Sequence, residues 1–444
     1  MIQFLLFQGR KIMRGNEADS PNIHESMAGV AGYSKVRKVV MLGLGFGSGL
    51  PYPLAYGTLA FWLSEQGVPI SKVAMLSWVM LPYSLKFLWF SYCDRNRAPL
   101  IGWRAGHRQA WIILCLICLI ISLATVGVLT EQHQLAMMAF VCVVSAFLGA
   151  TLDASIDALR IESQANSIDG GGLLTNYQIG YRASILVSDG LIFLISARFG
   201  WNFAYLFTSC LLLLPLVGTV AFGSSLANLC KCTSEKLSGA SDTLFSKLVW
   251  LKAPGMIIAL GVVAIYRTPD IIIGPVINPL YYAAGVTKAQ VGFIHLVSIP
   301  FFVMGIFVVG MMMGRVNIML ILLIGTGFQA AAMFFFYVLA SHHGPQIAMV
   351  ANVFENFSSS YTGTALVALM SSMVRTKSAG FDYALLTCAY SFIGKVFGGL
   401  SGFAVGALGA NLNGYANFFV LLTCISIGLC VLVHRAARLE KIFR

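Results

Sequence analysis

Apolar stretches of about 20 residues or more, long enough to cross the hydrocarbon of a bilayer, recur along the whole chain. They fall at roughly 38–63, 71–92, 108–129, 135–158, 174–197, 202–226, 254–283, 288–313, 317–340, 346–371, 381–407 and 414–434. Every backbone polar group in hydrocarbon must find its partner inside the protein. These twelve stretches therefore predict an all-α polytopic membrane protein. Only 10% of the 444 residues are charged and 58% are hydrophobic, against roughly 25% charged in a soluble domain. Little chain remains outside the spans to build a soluble enzyme, and no enzymatic activity is expected.

Nine charged residues lie inside these stretches: Lys86, Asp153, Asp157, Arg182, Asp189, Arg267, Asp270, Glu355 and Lys395. Charge in hydrocarbon is costly, so such residues usually face one another or a watery path for a substrate or proton. That pattern points to a transporter. The net charge of +12 does not call for nucleic acid. With the N-terminus inside, 22 of the 29 Lys and Arg fall in cytoplasmic segments and three (Lys72, Arg198, Lys288) fall outside, as the positive-inside rule requires. Both termini are thus expected in the cytoplasm.

The ten cysteines are scattered. Cys115 and Cys118 have no second pair to complete a zinc site, so no metal or cofactor is expected. Residues 1–37 read as a cytoplasmic tail without a cleavage-site pattern, with Met13 and Met27 as alternative starts. The longest polar interruption, 227–252, divides the chain into bundles at 38–226 and 253–434, and 435–444 form a second tail. Large transporters often contain two such bundles with the substrate at the midplane between them. The charges repeat accordingly: Asp153 and Asp157 in the fourth span answer to Glu355 in the tenth, and Arg182 in the fifth to Lys395 in the eleventh. Gly43, Gly45, Gly47, Gly49, Pro51 and Pro53 interrupt the first span, and Pro269, Gly274, Pro275 and Pro279 the seventh. These positions suit either close helix packing or a kink that lines a cavity.

Asp153 and Asp157 are four apart and share a helix face. Two carboxylates close together in a low dielectric do not both ionise easily, which suits a proton carrier. Pairing with Arg160 or Arg182 is the structural alternative. Arg182, with Gln178 one turn before it, stays charged and can hold a carboxylate or phosphate bidentately. Lys395 is a second candidate anion holder and Lys86 a third. Glu355 opens a polar run, Glu355-Asn356-Phe357-Ser358-Ser359-Ser360-Tyr361-Thr362-Gly363-Thr364, whose hydroxyls and amide can bond a sugar or peptide. Glu355 itself can carry a proton. Arg267 and Asp270, three apart, are expected to pair, either as a gate or only with each other. Asp94 and Arg95, after the second span, fit a topology signal or a charge latch.

In this order the motifs resemble the AmpG-type muropeptide permeases of the major facilitator superfamily. Gly45-Phe46-Gly47-Ser48-Gly49-Leu50-Pro51 is similar to that family's F-S-S-G-L-P element. Lys86-Phe87-Leu88-Trp89 with Asp94-Arg95 is similar to K-F-L-W and D-R. Asp153-Ala154-Ser155-Ile156-Asp157-Ala158, Gly180-Tyr181-Arg182, Tyr266-Arg267-Thr268-Pro269-Asp270 and Phe354-Glu355-Asn356 continue the resemblance. It runs from about residue 38 to 430 and implies the major facilitator fold, twelve helices in two bundles. It also implies an inner-membrane symporter that imports anhydromuropeptides with protons, for cell-wall recycling and in some bacteria β-lactamase induction.

Within that frame Arg182, Lys395, Gln178, Tyr181, Asn356, Ser359, Tyr56, Tyr266 and Lys86 are the candidate substrate contacts. Tyr52 and Trp62 are further aromatic candidates. Asp153, Asp157, Glu355 and Asp270 are the candidate proton carriers, and Asp94, Arg95 and Arg267 the candidate gate. The expected partners are a muropeptide, protons and the lipid bilayer, with the protein a monomer. The chain departs from the family pattern at Leu152, where Gln is usual, and at Asp382, where the family has Q-[FY]-A-L. Acetyl-coenzyme A carriers of the wider family, an efflux transporter, a sensor that kept the fold and a magnesium-dependent membrane transferase are the alternatives.

Overall fold

The computed structural model describes residues 23–99, 106–129, 135–165, 170–230, 256–313, 315–373, 379–409 and 411–440. Among them, nine stretches are long and apolar enough to cross a membrane. One of these, Thr175–Phe222, has 48 residues and turns at Gly200 (φ 83°, ψ 166°). It therefore holds two crossings, the fifth and sixth spans. The second span is a run of short helices, Ile70–Ala74, Leu76–Val79, Leu81–Leu85 and Phe87–Arg95. The tenth, Pro345–Met373, carries the polar run and is less apolar. Twelve spans result, as the hydropathy pattern predicts.

One expectation needs adjustment. The helix of the first span starts at Ile23, well before residue 38, because nothing between 23 and 38 breaks it: the stretch has no proline and holds helix formers such as Glu25, Met27, Ala28 and Lys35. The tail thus continues into the span. The loop 227–252 lies for the most part outside the described residues.

Breaks fall where the sequence places them. The first span is interrupted before Pro51, which has no N–H to donate, and at Tyr56 (φ −130°, ψ −89°). The seventh breaks at Arg267 (φ −98°, ψ 6°) and again ahead of Gly274 and Pro275. The fifth carries a π turn at Leu186–Leu191.

The glycines of the first span are packing residues. A Cβ at Gly45 would overlap the Tyr177 carbonyl of the fifth span, and one at Gly180 would overlap the Leu42 carbonyl of the first. The two helices thus lie backbone against backbone, the contact small residues permit where lipid removes the hydrophobic drive for association.

The halves repeat one another. The first span packs on the fifth as the seventh packs on the eleventh; the third packs on the fourth and sixth as the ninth packs on the tenth and twelfth. Between halves, the second span meets the eleventh and the fifth meets the eighth. The halves are joined most firmly at one end. There Lys288 Nζ lies 3.0 Å from Glu65 Oε1, Trp201 Nε1 donates to Glu65 Oε2 at 2.6 Å, and Asn278 Nδ2 donates to the Gly57 carbonyl at 2.7 Å. The seam continues inward as Ser77 and Trp78 donate to the carbonyls of Lys395 and Val396 (2.9 and 3.0 Å), and reaches mid-depth at the Ser84–Ser391 hydroxyl pair, 2.6 Å. Beyond mid-depth, polar side chains are open: Gln178 and Arg182 are exposed, Lys86 is 31% and Asp157 35% accessible. These accessible polar groups lie toward the end that carries Asp94 and Arg160.

Candidate functional site

Acids and bases of the first half satisfy one another. The four-residue spacing turns Asp153 and Asp157 toward Lys86, whose amino group contacts Asp153 closely and lies 4.0 Å from Asp157. Ser48 and Tyr177 donate to Asp153 Oδ1 at 2.8 and 3.1 Å, and Arg160 bonds Asp157 at 3.0 Å. Lys86, a candidate anion holder, is thus paired here with two carboxylates. The arrangement also settles the partner question: Arg160 and Lys86, not Arg182, face these acids.

In the second half, Arg267 Nε lies 3.7 Å from Asp270 Oδ2, and Arg267 Nη2 donates to Ser359 at 2.9 Å. Thr362 donates to Asp270 at 2.9 Å. All these groups belong to the seventh and tenth spans, so the pair itself does not bridge the halves. Glu355 is the exception among the acids named. Asn356 Nδ2 donates to it at 3.1 Å, and among the described residues no cation lies within 4.0 Å. The candidate contact Tyr266 lies in the interior of the second half. It is 1% exposed and its hydroxyl donates to the Leu322 carbonyl at 3.0 Å.

Arg182 and Lys395 stand out as cations without an acid. Among the described residues no carboxylate lies within 4.0 Å of either. Each sits against the opposite half. The Arg182 guanidinium lies 4.2 Å from the centre of the Phe302 ring of the eighth span. The Lys395 amino group donates to Ser84 of the second span at 3.1 Å and lies 5.8 and 5.6 Å from the rings of Tyr52 and Tyr83. The Tyr56 ring is 5.7 Å from that of Tyr52, and Tyr181, beside Arg182, is half-buried. Lys395 is 6% exposed. Attraction to ring faces stabilises a desolvated cation but leaves its net charge uncancelled. Trp62 is 3% exposed and stacks on Trp201, away from this group. Asp94 and Arg95 close the helix Phe87–Arg95; their side chains lie outside the described residues.

The sequence reading missed two contacts between halves. Glu65 and Lys288 are a pair only in the fold, being 223 residues apart. His295, a single histidine on an apolar span, places Nδ1 3.5 Å from Asp189 Oδ2. A lone histidine beside no motif carries no sequence signal, although Asp189 stood among the intramembrane charges. No group of three or more His, Cys, Asp or Glu capable of holding a metal is present among the described residues.

Twelve spans in two like halves, with charged side chains at their meeting, define a multi-pass membrane protein of the major facilitator fold. Solved structures agree on the fold. A nucleoside transporter, NupG, superposes with a TM-score of 0.69 at 12% identity, covering 90% of this chain and 98% of that one. A D-xylose–proton symporter gives 0.67 at 12% identity, covering 89% and 97%. By sequence, the chain is similar to the anhydromuropeptide permease of Escherichia coli (strain K12), 27% identical over 417 residues, covering 92% of this chain and 81% of that one. It is also similar to transporter AmpG 4 of Rickettsia conorii, 27% identical over 396 residues, covering 86% and 92%. A family described as Acetyl-coenzyme A transporter 1 matches residues 38–164. The curated relatives are AmpG transporters, not enzymes, and the resemblance read from the motifs is to them.

Proposed function

We propose that the chain imports anhydromuropeptides across the bacterial inner membrane with protons, by alternating access. The observation that carries this is the pair of cations without an acid among the described residues, Arg182 and Lys395, one from each half and each set against the opposite half. An anionic cargo with peptide carboxylates complements both, and its sugar rings fit Tyr52, Tyr56 and Tyr181 with the amide of Asn356. A cargo that bridges the two cations favours closure of the halves around it, which ties binding to the conformational change.

Glu355, without a cation, is the group best suited to take and release the proton. Asp153, Asp157 and Asp270 are held by their partners and serve as supporting charges. The Lys and Arg distribution favours a cytoplasmic position for the end with Asp94 and Arg160; on this reading the arrangement described is cargo release. Asp94 and Arg95 would then belong to the gate that closes this end.

The family match over residues 38–164 favours one second reading, an anionic coenzyme A thioester as cargo. Uptake of labelled anhydromuropeptide into proteoliposomes of the purified protein, with and without an imposed pH gradient, separates the two. Gradient-driven accumulation that excess acetyl-coenzyme A does not inhibit is the expected result. Failure to accumulate the muropeptide, with acetyl-coenzyme A taken up instead, would replace the first reading by the second.

A further inference from the structure

His295 and Asp189 lie where the eighth and fifth spans cross. Gly190 and Gly292 bring the two backbones together there: a Cβ at Gly292 would overlap the Gly190 carbonyl. Asp189 sits in the π turn Leu186–Leu191, a distortion often found at functional sites, which aims it across the interface. His295 Nδ1 is 3.5 Å from Asp189 Oδ2, and His295 Nε2 is buried with no hydrogen-bond partner.

The surroundings of the ring are largely apolar. Phe193 stacks on it at 5.8 Å and Tyr281 meets it edge-on at 6.2 Å. Asp189 faces it from the fifth span and Tyr281 from the seventh. The tenth span contributes Asn352 and Asn356, which link Tyr281 to Glu355 through bonds of 2.7, 3.0 and 3.1 Å. Lys288 stands two turns toward the closed end of the same span, and Arg182 lies two turns the other way, over Phe302. Asp189 is therefore the carboxylate in contact with the imidazole. A cavity of about 410 Å3, lined by Glu65, Ala197, Lys288, Ala289 and Phe61 among others, opens at the closed end. Between it and His295 stand two rings, Phe61 and then Phe193, 5.2 Å apart.

We propose that His295 and Asp189 form a proton-binding site shared by the two halves, assembled when they close at the Glu65–Lys288 end. Closure sets an imidazole nitrogen against a carboxylate oxygen, and the contact is strongest with a proton between them, as imidazolium and carboxylate. Opening separates the two groups and lets water in past Phe61 and Phe193. By reciprocity, if closure takes up a proton, acid favours closure. The inference rests on the proton-coupled reading above and deepens it: it adds a site for the proton where the fifth and eighth spans cross.

The test measures the distance between nitroxide labels at Ala197 and Ala289, on opposite halves of the outer cavity, attached through unnatural residues so that the native cysteines stay. It is made without cargo, from pH 8 to pH 5. The closed-to-open ratio should rise as the pH falls across that range. His295→Gln and Asp189→Asn should each abolish the pH response while cargo exchange at equal pH persists. Either variant suffices should the other not fold. A wild-type distance indifferent to pH, or an unchanged pH response in the variants, overturns the inference. A pH response lost in the variants, together with wild-type protein that moves no muropeptide, would uphold the shared proton site and reject the cargo.

Discussion

The two halves handle buried charge differently. In the first, Asp153, Asp157, Lys86 and Arg160 form a closed set with hydroxyl support from Ser48 and Tyr177. In the second, Glu355 has only an amide for company, and Lys395 rests on a serine and two rings of the other half. A neutralised cluster is a scaffold: neither cargo nor proton improves it much. An incomplete one responds to whatever supplies the missing charge. The asymmetry assigns more rigidity to the first half and more response to the second, with Arg182 as the first half's contribution to binding and Asp189 its contribution to the shared proton site.

The sharpest way to break this comparison is Glu355→Gln. Gradient-driven accumulation in proteoliposomes should be lost, while exchange of cargo at equal pH survives. Intact gradient-driven uptake would move the coupling to the first half and invert the assignment. Next in size are Arg182→Ala and Lys395→Ala. Each removes a charged partner of an anion, and a lost charged hydrogen bond is worth about 1.5–3 kcal/mol, so cargo affinity measured by calorimetry should fall by about ten- to a hundredfold. Unchanged affinity in either would end its role as an anion holder.

Lys86→Met should act on stability rather than affinity. It leaves Asp153 without a cation and Asp157 with Arg160 alone, and breaking a fully buried pair costs about 3–5 kcal/mol, less here because both partners are partly accessible. The thermal midpoint in detergent should drop, and Asp153→Asn in the same chain should recover part of it, a coupling that a double-mutant cycle reads directly. Tyr266→Phe is the smallest effect. It removes one hydroxyl bond, about 1 kcal/mol, so stability should fall slightly and cargo affinity stay unchanged; a large loss of affinity would return Tyr266 to the site.

Much of this was legible in the chain. The twelve spans follow from the length of the apolar runs, and the halves from the single long polar break. The equivalence of Arg182 and Lys395, on the fifth and eleventh spans, follows from repeated spacing. What escaped depends on which face of a helix meets which neighbour. Lys86 reads as a free cation until Asp153 and Asp157 turn toward it from the fourth span. Tyr266 reads as a site aromatic until its hydroxyl is found on Leu322. Glu65 with Lys288, and Asp189 with His295, join residues from different halves, and no local pattern encodes such pairs. The first-span glycines were open between packing and kink because small residues serve both; the overlap of Gly45 with Tyr177 decides for packing.

The surface that the eleventh span offers to the second is made of Gly398, Gly399 and Gly402, with Ser77, Trp78 and the Ile70 carbonyl laid directly on them. The eleventh span's side of this surface is smooth, so the helices part by releasing Trp78, the Ser77 and Trp78 bonds to its carbonyls and the Ser84–Ser391 pair. Most of the seam holds by shape and carbonyl bonds, not by charge. Ionic strength should then leave the balance between open and closed forms almost untouched, apart from the single Glu65–Lys288 pair at the rim. A methyl group added at Gly402 should do what salt cannot, wedging the seam and shifting the resting population toward the opposite opening.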